Sequence, residues 1–540
     1  MSRVQAPTGT QRAKRAAERS PRREPWEESK KQPQPAKRAK DLWRGFSSPA
    51  ANFNQGIALA ILAALALSLL LAGCTVGPRY SRPQAPAAPE YKETPPNWKQ
   101  AQPADQVVRG KWWEVFQDPQ LNGIEEQVSV SNQNLKAAQA QFLQARALVR
   151  LNRADLYPTV TAGVSASQNR LSLNAPRTGS VNNYTDLVLP ADVTYEADVW
   201  GRVRRTVEAA RANAQASAAD LESVSLSVHA ELAADYFQLR TLDAEERLLS
   251  TTVTAFEKAL ELTDNRYKGG VASAVDVAQA QTQLETTRAQ AIDVMVLRQQ
   301  FEHAIAALIG QPASSFSIPA APWDAPPPAI PPGLPSDLLE RRPDIASAER
   351  HMAAANAQIG IARAAYFPQI TLNATAGYES GSISKWLDGP SGFAAAGISA
   401  LVTVFDVGRR RAGVEQAQAA YDQAVANYRQ TVLTSFQEVE DNLAALRILD
   451  DEARTQSVAV NAAEHSLQLS NNRYRGGVVT YLEVITAQST ALSNERAAVD
   501  ILRRRMNATV LLIKALGGGW NASSLPAVSS SRTPQADGAE

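Results

Sequence analysis

The 540-residue chain contains one cysteine, Cys74, and four histidines. A disulfide framework or a cysteine-based metal cluster within one chain is thereby excluded. His229, His303, His351 and His465 lie far apart without a HExxH pair, and each reads as a surface or packing residue. No P-loop or dinucleotide fingerprint occurs, so neither an enzyme nor a cofactor is expected. Residues 57–73 carry no charge. Glycine and proline are missing from 202–268, 271–309, 414–475 and 478–516. An unbroken helix over 202–268 would be roughly 100 Å long, far beyond a helix of an ordinary globular domain.

The chain is organised around a stretch present twice. Asn265-Arg266-Tyr267-Lys268-Gly269-Gly270-Val271, followed by Asp276-Val277 and Gln281, recurs as Asn472-Arg473-Tyr474-Arg475-Gly476-Gly477-Val478, followed by Glu483-Val484 and Gln488. Each copy sits between two of the glycine- and proline-free segments. The paired glycines therefore read as the bend of a long helical hairpin, because glycine enters turn conformations cheaply. Such a duplication overrides the several-domain expectation that the length alone would suggest.

Charge is balanced overall but not along the chain. Residues 1–56 hold 13 Lys+Arg against 5 Asp+Glu, so the formal +1 of the whole leaves 74–540 at −7. A mildly acidic body argues against a nucleic-acid partner. The apolar run Ile57–Leu71 ends in Leu71-Ala72-Gly73-Cys74, which resembles the lipobox of bacterial lipoproteins. That resemblance implies a diacylglycerol and an N-acyl chain on Cys74 as the only covalent additions. About 15 apolar residues fall short of the roughly 20 a membrane-spanning helix needs. Thr75, where an inner-membrane lipoprotein would have Asp, favours transfer to the outer membrane. The leader 1–56 is expected to be discarded with the signal or to lie upstream of the true start.

Residues 74–119 read as an extended arm. Its Cys74-Thr75-Val76-Gly77-Pro78-Arg79-Tyr80-Ser81-Arg82-Pro83, with Trp112-Trp113, Phe116, Asp118-Pro119 and Leu121, resembles the N-terminus of the outer-membrane factor family, the lipoprotein exit ducts of tripartite efflux pumps. Trp112 and Trp113 are expected to fasten the arm to the body.

Two similar halves follow, 120–318 and 337–520, joined by a Pro-rich connector at 319–336 and ending in a polar tail at 521–540. In the first half a helix is expected from Asn122 to Leu156, cut off at Tyr157-Pro158. Val160, Ala162, Val164 and Ala166 alternate with polar residues as a strand. A loop around Arg170 to Asp186 precedes a second strand with Val193, Tyr195, Ala197 and Val199 on one face. In the second half a helix from Pro343 to Tyr366 stops at Phe367-Pro368. Strands follow with Ile370, Leu372, Ala374, Ala376 and Tyr378, then Ile398, Ala400, Val402 and Val404. Phe405-Asp406-Val407-Gly408-Arg409 answers Asp198 to Arg202 with one residue fewer before the glycine.

The expected fold is an α+β membrane protein: a two-fold repeat of long helical hairpins plus four strands contributed to a transmembrane β-barrel. Four strands cannot close a barrel, and an open edge in lipid leaves backbone groups unpaired. An oligomer is therefore expected, and the resemblance implies a homotrimer with its hairpins forming a periplasmic α-barrel. It further implies a periplasmic adaptor and an inner-membrane transporter as partners, besides outer-membrane lipid. By motif position Tyr267, Gly269, Gly270, Val271, Tyr474, Gly476, Gly477 and Val478 would be adaptor-docking tips. Asp276 and Glu483 would lie at the closed aperture, with Arg266 and Arg473 as partners for them or for helix ends. A type I secretion duct shares this pattern. A periplasmic scaffold or adaptor lipoprotein is the reading without a channel.

Overall fold

The computed structural model describes residues 75–84, 90–93, 110–170, 183–330 and 337–525. Cys74 and the Leu71-Ala72-Gly73 stretch before it lie outside them, as do the leader at 1–56 and most of the tail at 521–540.

The four long helices fill the segments where glycine and proline are missing, one of them starting five residues ahead of its segment with Gly413 in its first turns. Helix α1 (Pro119–Ser131) and α2 (Gln133–Ala154) precede the first strands. Helices α3 (Arg202–Lys268) and α4 (Ala274–Leu308) form one hairpin, 67 and 35 residues long. After α5 (Pro343–Ala364), helices α6 (Arg409–Arg475) and α7 (Tyr481–Ala515) form a second with the same two lengths. The helix expected over 122–156 is broken at Asn132. There the Asn132 side chain accepts from Leu135 N at 3.0 Å, capping α2, and donates to Leu308 O at 2.7 Å. The break is a tertiary one, because Gly310 backs onto the Ser131 carbonyl so closely that a Cβ would stand 2.6 Å from it.

The strands build one antiparallel sheet. Strands β1 (Thr159–Ala162) and β2 (Ser165–Arg170) both pair with β3 (Asn183–Ala197), which pairs with β4 (Gln369–Ser380), itself paired with β5 (Gly392–Leu401). The first strand was expected whole, yet Gly163 and Val164 interrupt it. Register is unbroken, Ala162 facing Ala191 and Ser165 facing Val188, so no residue is inserted. Gly163 stands opposite Pro190, which lends its carbonyl to Gly163 N at 3.1 Å but has no N–H to return. The second strand starts earlier than expected, at Asn183, and stops before Val199. The fourth ends at Leu401, short of Val402 and Val404.

Register sorts the faces. Val160, Val193, Ala374 and Ala396 lie abreast, as do Tyr195, Leu372 and Ile398. Thr161, Asp192 and Thr375, then Glu196, Thr371 and Ser399, occupy the alternate positions. One face is thus apolar and the other polar, and in the single chain large apolar residues such as Val160 and Ile398 are exposed.

Each sheet-to-helix corner is an aspartate and a glycine. Asp198 accepts from Val203 N and Arg204 N at 2.9 Å, and Asp406 accepts from Gly408 N at 3.1 Å and Arg410 N at 3.3 Å. Gly201 and Gly408 take φ of 81° and 86°. The second corner has one residue fewer, and Val407 absorbs the difference at φ 54°, a strained conformation for a β-branched residue.

The main core gathers the arm onto the helices. Trp112, Trp113 and Phe116 are buried with Phe237, Leu239 and Ile513. Trp113 stacks on His229 at 4.5 Å, and His229 Nδ1 lies 2.6 Å from Glu125 Oε2. Burial pushes the Glu125 carboxyl well up and the His229 imidazole down to about 4. Burial thus disfavours the charged form of both partners of this contact. The connector is also held: Ile318 and Ile330 are buried, and Trp323 packs edge-on against Phe237 at 5.3 Å.

Candidate docking and gating site at the hairpin tips

Both bends close by the same backbone pattern. At the first, Val271 N donates to Arg266 O at 2.8 Å and Gly270 N to Tyr267 O at 2.9 Å. At the second, Val478 N donates to Arg473 O at 3.0 Å and Gly477 N to Tyr474 O at 2.9 Å. This is the Schellman closure, which needs a left-handed residue just past the helix. Gly270 at φ 73° and Gly477 at φ 74° supply it, whereas Gly269 and Gly476 keep helical angles.

The two glycines of each pair should therefore respond differently to substitution. Gly270→Ala is expected to cost the turn about 1 kcal/mol, through φ alone, since a Cβ there meets nothing within 4 Å. Gly269→Ala is expected to be neutral, its Cβ in ordinary contact 3.4 Å from Asn265 O. Amide exchange at Val271 reads the difference, and equal protection in the two variants would refute this account of the bend.

Beyond the backbone the tips diverge. At the first, Ser273 and Asp276 form a capping box: Asp276 Oδ2 accepts from Ser273 N at 2.8 Å, and Ser273 Oγ accepts from Asp276 N at 3.2 Å. Asp276 is thus engaged in starting α4. At the second, Thr480 makes no such bond, and the longer Glu483 side chain instead meets Arg473 Nη1 at 3.2 Å. Both partners are about half exposed, so the pair contributes little stability.

The arginines differ likewise. Arg266 does not meet Asp276 or Glu483. Its guanidinium lies 4.5 Å from the centre of the Tyr474 ring, and Nη1 donates to Tyr474 O at 2.8 Å. The end of α3 is thereby tied to the end of α6, while Arg473 stays within its own hairpin. Tyr474 is accordingly buried, whereas Tyr267 is 47% exposed. Of the residues expected at the docking surface, Tyr267, Gly269, Gly270, Val271, Gly476, Gly477 and Val478 are exposed, and Tyr474 is inside.

Tyr481 was not singled out from sequence. It packs against Tyr474 at 5.3 Å in a cluster with Ala280 and Val484. Burial and the neighbouring Tyr474 push its hydroxyl up to about 12. The apolar run Tyr481-Leu482-Val484-Ile485 opening α7 was the available signal. Among the described residues no group of His, Cys, Asp and Glu could hold a metal ion, and no helix is long and apolar enough to cross a membrane.

A one-faced antiparallel sheet joined at glycine corners to paired 67- and 35-residue hairpins is the architecture of outer-membrane channels. The solved outer-membrane channel OprN superposes with a TM-score of 0.78, at 30% identity, over 83% of this chain and all of that one. Residues 126–311 and 334–518 match the family model described as outer membrane efflux protein, and the chain belongs to that family. It is 33% identical over 463 residues to the probable efflux pump outer membrane protein TtgC of Pseudomonas putida, 85% of this chain and 96% of that one. To the outer membrane protein OprJ of Pseudomonas aeruginosa it is 33% identical over 466 residues, again 85% and 96%. The protein is an outer-membrane efflux protein, a component of an efflux pump, and its family is one of channels and not of enzymes.

Proposed function

We propose that three copies of this chain form the passive exit duct of a tripartite efflux pump, the two halves of each chain being copies of one unit. The sheet carries this reading. Its outer strands, β1 with β2 at one side and β5 at the other, each pair on one edge only among the described strands. Its apolar face suits lipid and its polar face a wet lumen. In a membrane the unpaired edges must find partners, and like copies supply them in a closed twelve-stranded ring. The hairpins then continue the ring as a periplasmic helical barrel.

Lipidation of Cys74 fits the position of the next residues. Val76 N donates to Trp200 O at 3.0 Å, and Thr75 packs against Gly201, at the corner where sheet becomes helix. Acyl chains on Cys74 would enter the membrane beside the sheet. The exposed tips, Tyr267, Gly270, Val271, Gly477 and Val478, dock a periplasmic adaptor that links the duct to an inner-membrane transporter. Glu483, repeated around the symmetry axis with Arg473 beside it, forms the cation-attracting aperture, while Asp276 holds the docking turn. Efflux is favoured over secretion because the relatives are efflux-pump components.

Single-channel conductance of the lipidated protein in planar bilayers, with its mass in detergent, tests the reading. A trimer with small, flickering conductance is expected. A monomer without conductance in any condition would overturn the duct and leave the scaffold or adaptor reading. Within a conducting trimer, Glu483→Ala should weaken block by multivalent cations about tenfold; unchanged block would remove Glu483 from the aperture.

A further inference from the structure

Between α3, α6 and α7 lies a groove of about 690 Å³, a volume typical of small organic ligand sites. Its wall is largely apolar, with Phe256, Tyr481 and Leu492 all less than a tenth exposed. Two carboxylates share it, Glu464 of α6 and Glu495 of α7. Neither has an ion-pair or hydrogen-bond partner among the described residues. Burial, then the charge of Glu464, raises the Glu495 carboxyl above its ordinary value. Lys258 and Arg475 also line the groove and are exposed, as Glu464 is, whereas Glu495 is half-buried; neither cation is paired with these acids. Independently of the acids, Tyr474 and Gln488 line the groove at 6% exposure each, and the buried Tyr474 Oη and Gln488 Oε1 meet no protein partner. Hydrogen-bonding capacity inside proteins is ordinarily used.

We propose that this groove binds an amphipathic organic cation, its apolar body against Phe256, Tyr481 and Leu492 and its charged centre between Glu464 and Glu495. The Gln488 side-chain oxygen accepts from an N–H of the ligand where it carries one. Aromatic faces and unneutralised carboxylates together select a cation over an anion of the same shape. The inference goes beyond the duct reading, since the site lies within one chain and needs neither adaptor nor open channel.

The test uses two ions of one shape and opposite charge, tetraphenylphosphonium and tetraphenylborate. Equilibrium dialysis against the full-length protein in lipid nanodiscs, with empty nanodiscs as blank, measures both. Saturable binding of the cation at one site per chain is expected, with none for the anion. Glu464→Gln combined with Glu495→Gln keeps side-chain shape and removes the charge, and should weaken binding at least about tenfold. Leu492→Trp, which fills the groove, should abolish it. Equal uptake of the two ions, or an affinity unmoved by the double glutamine variant with unchanged far-UV circular dichroism, would overturn the proposal.

Discussion

Arg298→Met is expected to lower the stability of the body by about 3–5 kcal/mol, the usual cost of leaving buried charge without its partner. Arg298 of α4 donates through Nε to Asp243 at 2.7 Å, through Nη1 to Glu302 at 2.5 Å and through Nη2 to Ile318 O at 2.7 Å. All three ionic side chains are less than a tenth exposed. Burial opposes the charge on Arg298, but the two carboxylates outweigh it and hold its pKa above the ordinary value. Asp243 would keep Arg240 at 3.0 Å and Ala321 N at 3.0 Å; Glu302 would lose its cation.

The network also binds the connector, since Ile318 O, Pro319 O and Ala321 N are all held by it. The measurement is the thermal unfolding midpoint in detergent. Adding Glu302→Leu to Arg298→Met should recover more than half of the loss, because the stranded charge goes with its partner. A double variant no more stable than the single one would show that burial of charge is not what the arginine offsets.

How far these features could be read from sequence follows from what determines each. The four long helices were legible because nothing in 202–268 or 414–475 could interrupt them, and the bends because only glycine takes the φ of Gly270 and Gly477 cheaply. The strand faces were legible from alternation, though the ends were not. Pro190 sets the break at Gly163 from the neighbouring strand, and Asn132 becomes a cap only because Leu308 and Gly310 reach it from α4. Partners distant in sequence explain the remaining gaps. Glu125 with His229, and Arg298 with Asp243, are separated by 104 and 55 residues, and no periodicity announces such pairs. At the tips the duplication itself misled. Arg266 and Arg473 hold equivalent positions, yet one crosses to the other hairpin and one stays home, because Glu483 reaches Arg473 whereas the shorter Asp276 is spent on Ser273.

Arg266→Ala should open the closed duct, raising channel open probability in bilayers about tenfold or more. If adaptor binding works by splaying the hairpins, whatever holds α3 to α6 at the tips resists it. The one crossing contact of Arg266 combines a ring-stacked guanidinium with a charge-assisted bond to Tyr474 O. Such a contact contributes about 2 kcal/mol, enough to shift a two-state equilibrium roughly thirtyfold. Because the arginine uses the ring face and the backbone carbonyl of Tyr474, the hydroxyl takes no part and has no partner. Tyr474→Phe should therefore conduct like the parent, and Tyr474→Ala like Arg266→Ala. Arg266→Lys should fall between, keeping the charge but losing the planar stack. Glu483 gives the contrast: Arg473→Ala breaks only a half-exposed pair inside one hairpin and should alter cation block with little change in opening. Parent-like gating in Arg266→Ala, with the assembly intact, would mean that the tips are held shut between chains and not within one.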